Sequence, residues 1–130
     1  MTTKYTGILG LVALICVGCG GTPESEIASF REVIDGSTVE VIIEGKIYKV
    51  QLCGIKPAES TAAAISEIVA TNDEIHVLRN GDLAEIFVAT DSEEEIHINS
   101  ELLVREKAEL DKGEVDSCPN GDVMRIAAEG

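Results

Sequence analysis

Between residues 33 and 52 apolar and polar positions alternate. Val39, Val41 and Ile43 fall on one face and Glu40, Ile42 and Glu44 on the other, the two-residue period of a half-buried strand. Glu44-Gly45 marks a turn, after which Tyr48, Val50 and Leu52 alternate with Lys49 and Gln51, so the stretch is predicted to form a β-hairpin. Val33-Ile34, ahead of the Asp35-Gly36 turn, reads as the end of a strand leading into it.

The period changes after Gly54. Ser60 and Thr61 can cap the run "TAAAISEIVA", in which Ala64, Ile65, Ile68 and Val69 share a helical face, and Asn72-Asp73 ends it. Strand pattern returns over Glu74 to Leu78 and Leu83 to Thr90, joined by an Asn80-Gly81 hairpin turn. The charged tip "DSEEE" and a short strand Ile96 to Ile98 follow. Asn99 is the expected cap of a second helix over Ser100 to Leu110, with Glu101 near its positive end. "DKGEVDS" reads as loop, and Pro119 stands near the start of a final helix that stops short at Gly130. Three strands, a helix, two strands and a helix match the order of a five-stranded Greek-key barrel of the OB type, mainly β with two to three helices. No internal repeat interrupts this order.

The first residues follow another pattern. Lys4 supplies a positive start, Ile8 to Val17 is an apolar run broken only by Gly10, and Gly18, Gly20 and Gly21 follow, which reads as an export signal. The run is about half the length that a spanning helix needs; the alternative is an uncleaved anchor. "CVGCGG" resembles the lipobox of bacterial lipoproteins, with Cys19 as the residue that would be lipidated and Cys16 where a Leu is usual. The expected organisation is a leader over 1–18, a lipidated N-terminus and linker over 19–29, and one domain over 30–130. The protein would then be exported, anchored to a membrane through Cys19 as a periplasmic or cell-surface lipoprotein.

In such an oxidising compartment Cys53 and Cys118 can pair, closing a long loop worth about 3–5 kcal/mol; the alternative is two buried free thiols. C-x-x-C occurs only at Cys16 and Cys19, inside the leader, so neither a zinc site nor a redox motif is indicated. The 24 acidic residues outnumber 10 basic ones, and loss of the leader removes Lys4 as well. That charge repels nucleic acid, and Phe30, Tyr48 and Phe87 alone supply aromatic stacking in the mature chain. Nucleic acid is therefore not an expected partner, and a protein partner is not named by any motif.

"VIDGSTVEV" with "GKIYKVQLCGIKPAE" resembles the thermonuclease (staphylococcal nuclease-like) family, whose signature is close to V-I-D-G-D-T followed by R-L-x-G-I-D-A-P-E. "NGDLAEIFV" is similar to that family's G-R-x-x-A-x-V hairpin, "INSELLVREKA" to its N-x-x-L-V-x-x-G-x-A helix, and "SCPN" to a segment before its terminal helix. The resemblance covers nearly the whole mature chain and implies an OB barrel. It also implies phosphodiester hydrolysis with calcium held by carboxylates, a glutamate assisting the attacking water, and two arginines neutralising the phosphate.

Position by position, most of that chemistry is replaced. The metal carboxylates fall on Ser37 and Lys56, and the arginines on Gln51 and Asp82. Glu59 keeps the glutamate, and Asp35 keeps a carboxylate near the metal but not in contact with it. An ammonium about 4 Å from a divalent ion costs on the order of 8 kcal/mol at an effective dielectric of 20, so no metal cofactor is expected. Lys56 is expected to pair with Glu59 or Asp35 in place of the metal. Lys49 and Arg79 lie near the lost arginines but need a register shift to replace them.

The leading expectation is a catalytically inactive pseudoenzyme, a nuclease-like barrel used as a binding or structural module. The rival is a divergent nuclease with Glu59 as base. A third class, a calcium-binding surface module on "DSEEE", lacks EF-hand spacing. His76 and His97, with no second His or Cys at ligand spacing, read as ordinary strand-face histidines.

Overall fold

The computed structural model describes residues 24–92 and 94–129. The segment expected to be a leader, 1–18, and Cys19 lie outside them. The elements are β1 (Glu26–Val33), β2 (Thr38–Ile43), β3 (Lys46–Leu52), β4 (Ile55–Pro57), α1 (Thr61–Ile68), β5 (Glu74–Asn80), β6 (Leu83–Ala89), β7 (Glu95–His97), α2 (Ile98–Val104), β8 (Ala108–Leu110) and α3 (Gly121–Glu129). A 3-10 turn over Val115–Ser117 interrupts the loop before α3. No helix among the described residues is long and apolar enough to cross a membrane.

Alternation between residues 39 and 52 produces the expected hairpin, with Ile43 opposite Lys46 across a two-residue turn. Both turn residues, Glu44 and Gly45, have positive φ, the requirement of a type I′ turn whose twist matches that of the strands. β1 pairs antiparallel with β2 on one side and β5 on the other, and β5 with β6. The barrel closes where β3 meets β6 in parallel, Gln51 beside Leu83 and Leu52 beside Ala84. The five strands form an OB-type barrel, mainly β with α, as the strand order implied. Val39, Val41, Val50, Leu52, Val77 and Ile86 fill it, all at most 2% exposed.

Several local expectations are corrected. α2 ends at Val104, not Leu110. Glu106 turns left-handed at φ 59°, and the N–H groups of Glu106 and Lys107 donate to the carbonyls of Leu103 (3.1 Å) and Leu102 (2.8 Å), a Schellman-like closure. Ala108–Leu110 then pairs with Ile55–Pro57 as a two-stranded ribbon. Asn99 does not cap α2; His97 occupies that place. Asn99 is instead fully buried, accepting from Ile86 N and donating through Nδ2 to the carbonyls of Cys53 and Ala84. Thr61, likewise buried, accepts from Ala58 N at 2.7 Å and donates to the Lys107 carbonyl, tying α1 to the end of α2. The β5–β6 turn falls on Gly81-Asp82, since Asn80 still pairs with Leu83.

Cys53 and Cys118 form a disulfide, with Cα atoms 5.9 Å apart and a separation of 65 in sequence. It fastens the segment ahead of α3 to the end of β3.

Candidate functional site

The turn after β1 is shaped by Asp35. Its Oδ1 accepts from the backbone N–H of Ser37 (3.3 Å) and of Thr38 (3.1 Å). The N–H groups of Ile34 and Asp35 donate in turn to the Thr38 carbonyl. The Ser37 and Thr38 donors hold the Asp35 carboxyl below its ordinary range. Its charge is thus directed onto its own turn.

Backbone pairing gathers the other positions around this turn. Ser37 is buried, and its carbonyl accepts from Leu52 N at 2.8 Å. Thr38 is the register partner of Gln51, whose N–H donates to the Asp82 carbonyl at 2.9 Å. Gly36 lies so close to the β4 segment that a β-carbon there would meet Pro57 Cβ at 2.6 Å, which sets Lys56 beside the same turn. One end of the barrel therefore brings together Asp35, Ser37, Gln51, Lys56 and Asp82. Glu59, two residues beyond Pro57, is exposed ahead of α1, as are Asp35, Gln51, Lys56 and Asp82.

Lys56 forms no ion pair with Glu59 or Asp35, contrary to expectation; in the β4–β8 ribbon its register partner is Glu109. The short strand turns its backbone toward β8, a pairing that no residue pattern around Lys56 announces. The two cations expected near Gln51 and Asp82 have other neighbours. Arg79 binds Glu26 through Nε (2.7 Å) and Nη2 (3.0 Å) and lies 4.5 Å over the Tyr48 ring, while Lys49 faces Glu40, which pairs with Arg31 at 3.0 Å. Among the described residues no group of three or more His, Cys, Asp or Glu is placed to hold a metal ion. A groove of about 910 Å³ lies elsewhere, between the end of α2, β8 and α3.

A second polar centre lies between β6, β7 and α3. Glu85, in the middle of β6, is completely buried. It accepts from Asn120 N at 2.9 Å and Asn120 Nδ2 at 2.8 Å. His97 Nε2 lies 2.8 Å from Glu85 Oε1, although it is not aligned with it as a hydrogen-bond donor. The other ring nitrogen, Nδ1, is 2.7 Å from Ser100 Oγ, and the ring stacks on Phe87 at 4.8 Å between centroids. Burial acts to raise the Glu85 pKa, but His97 and the two Asn120 donors outweigh it and hold the carboxyl below its usual value. The only signal was a charge between Ala84 and Ile86, which alternation assigns to an outward face. His76 makes a separate pair with Glu95 at 2.7 Å.

Comparison of the chain with models of known protein families gave no match, and comparison with curated proteins gave none either.

Proposed function

We propose that this chain is an exported, thermonuclease-like OB barrel whose catalytic end has become an inactive shell, serving as a binding or structural module anchored through Cys19. What supports the reading is the juxtaposition of Ser37, Gln51, Lys56 and Asp82 at one barrel end. These are the positions at which the resemblance expects ligand, clamp, ligand and clamp.

The residues do not fit a calcium ion. A hard divalent cation needs several oxygen ligands carrying negative charge. Ser37 offers a buried hydroxyl, Asp35 gives one carboxylate oxygen, Oδ1, to two backbone N–H groups, and Lys56 adds positive charge. They fit a phosphate no better, since Gln51 is neutral and Asp82 repels it. Loss of a phosphate-clamping arginine removes about 10³ to 10⁵ in rate in related phosphoryl transfers. Glu59 alone cannot restore that.

Incubation of the leaderless protein with supercoiled plasmid, with calcium and with EDTA, tests the reading. Nicking should not exceed the buffer control in either condition. Metal-dependent cleavage abolished by Glu59→Gln would establish a divergent nuclease instead.

A further inference from the structure

Glu85 joins three parts of the molecule. On β6 it shares a face with Phe87 by the two-residue period of a strand. Its carboxylate meets His97 at the end of β7, and it receives both donors of Asn120. Asn120 is where α3 begins, because Met124 N donates to the Asn120 carbonyl. The carboxylate therefore also lies at the positive end of that helix. Just before it, Cys118 is bonded to Cys53.

We propose that Glu85 is an acid-released latch: protonation frees the segment from Pro119 through α3, while the Cys53–Cys118 disulfide keeps it tethered and the barrel stays closed. A neutral carboxyl has lost the charge that strengthens both Asn120 bonds. It also removes the negative charge that faces His97 Nε2 at 2.8 Å. The remaining groups around Glu85 do not compensate. From β5 the register partner is the apolar Leu78, with Arg79 held by Glu26 and His76 by Glu95. From α2, Ser100 is uncharged and Glu101 pairs with Arg105. From the C-terminal segment, Arg125 is held by Asp116 and Asp122. Contacts ahead of the disulfide, such as Gly54 N to Glu114 Oε1 at 2.8 Å, stay on the barrel side of the hinge. Release uncovers the apolar seat of Met124, which is fully buried against Gly54 and Cys118.

Hydrogen exchange read by mass spectrometry, with rates normalised to the intrinsic rate at each pH, tests the latch on the disulfide-intact protein. Between pH 7 and pH 3.5, protection over residues 121–129 should fall by up to about 10-fold, the most that a carboxyl of ordinary value 4.5 can contribute one unit below that value. Protection in β2 and β3 should persist. Glu85→Gln should show the same loss over 121–129 already at pH 7. The proposal is overturned if wild-type α3 keeps its protection in acid, if α3 and the barrel strands lose it at the same pH, or if Glu85→Gln exchanges like wild type at pH 7.

Discussion

Gly54 faces Met124 with no room for a side chain: a β-carbon on Gly54 would lie 2.6 Å from Met124 Cε and 3.1 Å from Cys118 Sγ. Its φ is also positive, at 77°. Its N–H donates to Glu114 and its carbonyl accepts from Asp111 N, so the turn after β3 is the seat on which the C-terminal segment rests. Gly54→Ala combines backbone strain with overpacking and should cost about 2–4 kcal/mol, measured by urea denaturation. A loss below about 0.5 kcal/mol, the range of neutral surface changes, would mean that α3 does not pack here.

Removing the covalent tie tests the same seat differently. Replacing Cys53 and Cys118 together by Ala should lower stability by about 4 kcal/mol, from the loop-closure entropy of 65 residues. The check is denaturation of the double variant against wild type, with reduced wild type as a third sample. Reduced wild type should fall beside the variant.

Glu106 offers the opposite sign. It is an exposed residue held at φ 59°, where a side chain costs about 1–2 kcal/mol and glycine nothing steric. Glycine's larger unfolded-state entropy offsets part of the gain. Glu106→Gly should therefore raise stability by about 0.5–1 kcal/mol; a lower melting temperature would show that Glu106 makes a contact worth more than its strain.

Glu85 sets an acid limit. Its folded pKa lies below the ordinary value of 4.5, so the unfolded chain takes up the proton first as pH falls. The stabilisation is complete above that ordinary value and is lost as pH drops through the folded value. Melting temperature measured from pH 7 to pH 3 should thus fall less steeply below pH 4.5 in Glu85→Gln than in wild type. Identical slopes would exclude this carboxyl as a source of acid sensitivity.

The barrel strands were legible because each has one face in the core: Val39, Val41, Ile43 and their hairpin partners announce both period and register. The ribbon of β4 and β8 was not, since three residues carry too little pattern. "REKAEL" is also made of good helix formers, and only pairing with Ile55–Pro57 overrides that propensity. Asn99 shows a limit of the same kind. A polar residue before an apolar run reads as a cap, whereas its fate as a buried bridge depends on Cys53 and Ala84, distant in sequence. At the candidate site, the gathering of Asp35, Gln51 and Asp82 was expected only from the resemblance, and the turns and strand ends that carry them meet at one end of the barrel. The pairing of Lys56 could not, because it depends on the unforeseen ribbon. Glu85 stayed hidden because its partners, His97 and Asn120, come from elsewhere in the chain.

Calcium titration by calorimetry reaches the central claim most directly, because it asks whether the end of the barrel around Ser37 and Lys56 can take the ion at all. An inactive shell gives only the heat of dilution from micromolar to low-millimolar calcium. A saturable single-site heat in that range, lost in Asp35→Asn or Glu59→Gln, would contradict it.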